Sequence, residues 1–176
     1  MGTLQTTPAL DRSDLLAGPV ADALRTWADF AEGVLVAEIN PGLADTAEFC
    51  AAYQVGLDQS ANCVVVSGKR EGEVRYAACV VLATTRADVN GVVRRHLDVR
   101  KASFAPMDTA VAETGMEYGG ITPIGLPKGW PILVDSRVVT VSHAIIGSGV
   151  RRSKLLLPGK SLAELPGAEV IPDLAR

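Results

Sequence analysis

The chain has 176 residues, 48% of them apolar and 21% charged, which suits one domain with a substantial core and excludes a disordered chain. Its longest apolar runs, CVVV at 63–66 and AACVVLA at 77–83, are far too short to cross a bilayer. The formal charge of −3 argues against nucleic acid, but residues 1–85 hold 5 Lys/Arg against 11 Asp/Glu while residues 86–160 hold 11 against 6, so the second half can present a local positive field to phosphates.

Residues 1–10 are polar and unpatterned, and are expected to fray. From Asp11 to Glu32, the residues Leu15, Leu16, Val20, Leu24, Trp27 and Phe30 recur at three- and four-residue intervals. That spacing predicts an amphipathic helix, with Gly18-Pro19 as a break or a second start. VLVAEI (34–39) reads as a strand ended by Asn40-Pro41-Gly42. Asp45 followed by Glu48 resembles a capping box opening a helix that Gly56 stops. NCVVVS (62–67) and VRYAACVVLATT (74–85), around a charged turn with glycines, predict a hairpin. Asp88 or Asn90 can cap a helix through Val92, Val93 and Leu97. KASFA (101–105) is a short strand or loop, and Pro106-Met107-Asp108 starts a helix that Gly115 ends.

Residues 115–131, GMEYGGITPIGLPKGWP, have almost no periodicity and are dense in glycine and proline. A loop this long within a domain is usually functional, and Ile121, Ile124, Leu126 and Trp130 mark it as ordered and partly buried. ILVD (132–135) and VVTVSHAIIG (138–147) follow as strands, then the turn Gly147-Ser148-Gly149, a strand in VRRSKLLLP, and a helical turn at LAEL (162–165). These elements predict a single α/β (α+β) domain with a mixed sheet flanked by helices.

Several kinds of chemistry are absent from this pattern. There is no GxSxG elbow and no GxxxxGK[ST] phosphate loop. Cys50, Cys63 and Cys79 lack metal-site spacing and are expected to be reduced buried thiols, so no metal is expected. No basic segment precedes an apolar run, so no secretion signal is expected and a cytoplasmic location is. His96 reads as a solvated surface residue and His143 as a structural one. The Gly119-Gly120…Pro123…Gly125 loop is more informative, because backbone amides without a β-carbon can approach an ester closely and form an oxyanion hole. Arg151, Arg152 and Lys154, and a second cluster of Arg94, Arg95, Arg100 and Lys101, suit phosphate contacts.

The string TGMEYGGITPIGL (114–126) resembles the glycine-rich segment of the YbaK/EbsC prolyl-tRNA-editing family, with its GxxxP loop at Gly119 to Pro123. PILVD and IIGSGVRRSKLLL resemble the strand and late glycine turn that follow, and the motifs keep their order through 45–170. The resemblance implies a curved mixed sheet with a small pocket that hydrolyses the aminoacyl ester at the 3′ end of a mischarged tRNA. It implies small amino acids, tRNA(Pro) among the carriers, substrate-assisted activation of water, and no cofactor. Residues 34–176 would form the editing domain and 1–33 an N-terminal tail and helical extension. Gly119 and Gly120 would position the scissile carbonyl. Ile121, Thr122, Pro123, Gly125, Asp135, Gly147, Ser148 and Gly149 would shape the substrate site, and the basic clusters would hold tRNA. The oligomeric state is left open between monomer and homodimer, and no membrane partner is expected.

One position departs from the family pattern. The family's pocket lysine opens the first hairpin strand, where this chain has Asn62. Lys69 lies seven residues on, roughly 23 Å away along an extended strand, too far to substitute. Asn62 retains hydrogen-bond donors without the charge. The readings that follow are an editing hydrolase, a non-catalytic module that binds aminoacyl-tRNA or an aminoacyl ligand, or an unrelated domain whose Gly-Pro loop is only a turn.

Overall fold

The computed structural model describes residues 2–176. Its first strand, β1 (Thr6–Pro8), pairs antiparallel with β2 (Leu35–Glu38), placing Thr6 opposite Ala37. The segment expected to fray is thus an edge strand, the position in a sheet where Pro8 costs no ladder bond. The helix expected over 11–32 is broken in two places. A 3-10 turn covers Ala9–Leu15, Leu16 is extended, and α1 (Gly18–Thr26) starts with proline in its first turn, where the missing N–H is not needed. Trp27, at φ −110° and ψ 63°, separates α1 from α2 (Ala28–Ala31).

The helix α3 (Thr46–Tyr53) ends at Gln54, whose φ is 55°, so a left-handed glutamine stops it before Gly56. Asp45 makes no capping bond. The strands β3 (Ala61–Arg70) and β4 (Glu73–Leu82) form the expected hairpin. Its two loop residues, Glu71 (φ 53°) and Gly72 (φ 89°), both have positive φ, the turn geometry that matches the twist of paired strands. Asp88 accepts from the Gly91 amide at 3.0 Å and starts a π-type turn, Val89–Val93, that runs into α4 (Arg94–His96). β5 (Ala102–Phe104) pairs with the far half of β3, and α5 (Met107–Thr114) closes on Gly115.

No helix or strand forms between 116 and 131. β6 (Ile132–Asp135) follows, but the strand expected at 138–147 exists only in its second half. Asp135 accepts from the Arg137 amide at 2.9 Å and nucleates α6 (Ser136–Thr140), so the β-branched run Val138-Val139-Thr140 is helical and only β7 (Ala144–Gly147) is extended. β8 (Ser153–Leu157), a 3-10 turn over Gly159–Glu164 and β9 (Ala168–Ile171) complete the chain.

The domain is of the α/β kind expected, with helices flanking its strands, and the strands divide into two sheets. One is antiparallel, in the order β1-β2-β8-β7, and the other is mixed, in the order β5-β3-β4-β6-β9. The sheets meet where Ser60 bridges Ile145, and the Ile145 amide donates to the Gln59 carbonyl at 2.8 Å. The principal core contains Leu15, Val20 and Leu24 together with Val134, Ile146 and Leu155. The N-terminal segment therefore packs into the domain's own core. Alternation along β6 sends Leu133 the other way, into a second cluster with Val66, Cys79 and Val93. A third cluster seats Phe49 of α3 against Leu156 of β8. No helix among the described residues is long and apolar enough to cross a membrane.

Candidate active site

A cleft of about 660 Å³ opens where the two sheets meet. Its floor comes from the start of β3, Ser60 to Val65, and from Ile145 to Gly147 of β7. Ala44 to Thr46 at the head of α3 and Lys154 of β8 form one side. Phe104, Met107 and Ala110 form another, and Tyr118, Gly119 and Ile121 close it.

The two glycine motifs read separately in the sequence are one structural unit. The Glu117 amide donates to the Gly149 carbonyl at 2.8 Å, and the Gly149 amide donates to the Gly120 carbonyl at 2.7 Å. The Glu117 carboxylate accepts from the Arg151 amide at 2.7 Å. The backbones approach so closely that a β-carbon on Gly120 would lie 2.7 Å from the Val150 carbonyl, and one on Gly147 would lie 2.7 Å from the Ile121 oxygen. Glycine is required at both positions for that reason. The Gly120 amide donates to the Glu117 carbonyl at 2.9 Å and is turned into the loop. The Gly119 amide has no protein acceptor among the described residues, and Gly119 lines the cleft in the left-handed region at φ 78°. Its neighbours Tyr118 and Ile121 also line the cleft with amides that have no protein acceptor among the described residues, so this stretch of loop can offer a donor to a ligand carbonyl.

Asn62 lines the cleft, and its Oδ1 accepts from the Thr46 hydroxyl at 2.8 Å. That bond orients the side chain and leaves its Nδ2 as a donor. Lys154 Nζ donates to the Ala44 carbonyl at 3.0 Å and sits 5.2 Å from the centroid of the Phe49 ring. Burial pulls its pKa down, and the charge of Arg151 lowers it further. Cys63 also lines the cleft, but burial and the neighbouring Cys79 push its thiol well up. It is an apolar wall rather than a nucleophile. No histidine lines the cleft: His143 is in an exposed bend, and His96 Nε2 lies 2.7 Å from Glu169 Oε2 outside it.

The other predicted positions separate. Ile121 and Gly147 line the cleft; Thr122, Pro123 and Gly125 do not. Thr122 is buried with its hydroxyl unpartnered, and Pro123 and Gly125 border a different groove beside Trp130. Ser148 is buried against Ser153, 2.7 Å between hydroxyl oxygens, and Gly149 packs on Ala17 and Val20. Asp135 is outside the cleft and 1% exposed, held by Arg137 and the Ala175 amide. The triplet Arg151, Arg152, Lys154 diverges. Arg151 pairs with Asp45 at 3.2 Å and also donates to the Tyr118 carbonyl, Arg152 donates to the Asp14 carbonyl, and only Lys154 enters the cleft. Arg94 and Arg95 lie on α4 and do not line it, and the Arg94 Nε donates to the Asn90 carbonyl.

Sequence reasoning missed Thr46, Phe104, Met107 and Tyr118 as cleft residues and grouped Lys154, which lines the cleft, with the basic cluster suited to phosphates. One signal was present. In SKLLL a lysine interrupts a strand that is apolar on both faces, and such a side chain needs a polar recess to point into.

The structure resembles several solved proteins. One, provisionally described as a trans-editing enzyme for prolyl-tRNA synthetase, is 22% identical, with 89% of this chain and 94% of that one aligned at a TM-score of 0.74. A scaffold protein used for computational epitope grafting is 24% identical, with 89% and 95% aligned at 0.74. A hypothetical protein is 20% identical, with 88% and 99% aligned at 0.74. These likenesses establish the fold. The sequence pattern of the aminoacyl-tRNA editing domain matches residues 40–165, and that span takes in the hairpin, the glycine loop and β8, so this chain belongs to the aminoacyl-tRNA editing domain family.

Proposed function

We propose that the protein hydrolyses the ester of tRNA mischarged with a small amino acid, with tRNA(Pro) as the carrier to test first. The observation that carries this reading is one cleft lined together by Gly119, whose amide has no protein acceptor among the described residues, Asn62 and Lys154. These three residues supply donors to a cleft whose apolar walls include Cys63, Val65, Ala110, Ile121 and Ile146. Such walls suit a short apolar side chain and would select by size, a basis worth about 1–3 kcal/mol per methylene. Phe104, Met107 and Tyr118 at the cleft are 59%, 56% and 59% exposed. Exposed aromatic faces beside a pocket suit the unstacked bases of a single-stranded 3′ end.

The cleft offers no side chain suited to act as general base. Its one carboxylate, Asp45, is paired with Arg151. Water would therefore be activated by the substrate itself, through the ribose hydroxyl next to the ester, as the family resemblance implies. The domain's part is to fix the carbonyl, polarise it and exclude the wrong side chains. The same absence favours a second reading, a module that binds aminoacyl-tRNA without cleaving it. Purified protein incubated with tRNA(Pro) carrying alanine, serine or cysteine separates the two. Release above the buffer rate for at least one is expected; binding without release from any would establish the second reading.

A further inference from the structure

We propose that Lys154, from β8, supplies the cationic group that contacts the scissile carbonyl, the charge that Asn62 does not provide. The inference rests on the editing reading and deepens it.

The placement of the side chain carries the argument. Lys154 lines the cleft, its ammonium sits 5.2 Å from the centroid of the fully buried Phe49 ring, and it spends one of three donors on the Ala44 carbonyl. It forms no ion pair among the described residues, since Asp45, the nearby carboxylate, is committed to Arg151. A partly desolvated ammonium that lines the cleft and spends one donor on the Ala44 carbonyl has two donors left to offer an oxygen acceptor that enters there. A phosphodiester is a poorer candidate, because it would have to bring a full, strongly hydrated charge into a recess where Val65, Ala110, Ile121 and Ile146 offer it no hydrogen-bonding side chain. A neutral ester carbonyl costs little to bury and becomes anionic only as water adds.

In the step itself, water adds to the carbonyl carbon and the carbonyl oxygen takes up negative charge beside Lys154 and the Gly119 amide. The carbon–oxygen bond to the ribose then breaks, the ribose oxygen leaves with one proton of the water, and the amino acid departs as a carboxylate, the water's second proton passing to solvent. Lys154 neither gives nor takes a proton. It stabilises charge that exists only in the transition state, so its loss should lower kcat more than it raises KM.

The test compares the wild type with Lys154→Met, which removes the charge and keeps an unbranched side chain, on alanyl-tRNA(Pro) and on whichever charged tRNA the wild type cleaves best. Loss of one oxyanion donor typically lowers kcat about 100-fold or more, and that loss is expected here with tRNA affinity and its salt dependence unchanged. Unaltered kcat overturns the proposal. A weakened affinity with a shallower salt slope and intact kcat overturns it as well, because that pattern marks a phosphate contact. If the wild type releases nothing from any charged tRNA, the editing reading fails and takes this one with it, an outcome distinct from an active wild type matched by its variant. Should Lys154→Met not fold, the wild-type pH profile decides. Lys154 faces Cys50 of α3, Asp45 before it, and Arg151 across the turn, and its pKa is lowered, first by burial. Burial raises the Cys50 thiol, which stays neutral. Activity above the buffer rate should therefore fall with rising pH before the ordinary lysine range is reached, and a rate still rising through that range overturns the proposal.

Discussion

Replacing Asp135 with alanine removes an acceptor that four donors share: the Arg137 amide at 2.9 Å, Arg137 Nε at 2.8 Å, Arg137 Nη2 at 2.9 Å and the Ala175 amide at 2.9 Å. Arg137 Nη2 also donates to the Ala175 carbonyl at 2.5 Å, so the pair clamps both backbone groups of Ala175 to the end of β6. Orphaning the buried Ala175 amide costs about 1–3 kcal/mol, and losing the cap of α6 about 1 kcal/mol. The ion pair itself adds little, because the Arg137 side chain is 44% exposed. The loss is about 3 kcal/mol in all, which for a chain of this size lowers the melting temperature by about 6–12 °C.

Burial alone would disfavour the ionised carboxyl, but the bonds from Arg137 and the Ala175 amide outweigh it and hold its pKa below the ordinary value of 3.8. A depressed folded pKa contributes stability that is complete above the unfolded value and is lost as pH falls through the folded one. The stability gap between wild type and Asp135→Ala should therefore be constant from neutrality to about pH 4 and shrink below it. Thermal melts across pH, with deacylation measured well below the melting point, test this. Melting within about 1 °C of wild type would refute the latch, and full stability with lost kcat would place the side chain at the substrate after all.

Two further outcomes follow from the cleft. Asn62→Ala should lose on the order of 1–3 kcal/mol of transition-state stabilisation in kcat/KM, the cost of an unmade buried bond; equal values would remove Asn62 from the site. Phe104→Ala should weaken binding of the tRNA 3′ end by about 1–3 kcal/mol without altering its salt dependence, as loss of one stacking surface does; a titration at two salt concentrations would show an unchanged affinity if the ring takes no base.

The elements legible in the sequence were those whose cause is local. The β3–β4 hairpin follows from two β-branched runs around Glu71-Gly72, and α5 follows from a proline start and a glycine stop. The order of glycine motifs from Gly119 to Gly149 likewise points to the family. Where a distant residue competes for the same group, local reading failed. Asp45 looked like a helix cap, but Arg151 takes its carboxylate. Val138-Val139-Thr140 looked extended, but the Asp135 cap makes them helical. Gly120 looked like an oxyanion donor, yet its amide is turned into its own loop, and its missing β-carbon makes room for Val150. The basic residues Arg151, Arg152 and Lys154 are close in sequence, but the turn into β8 sends one side chain to the loop, one to the N-terminal segment and one into the cleft. Composition and spacing determine which groups are available. Which group faces the substrate depends on strand register and the packing of two sheets, and those are set by contacts between residues distant in the chain, such as Val36 with Leu155 and Ser60 with Ile145.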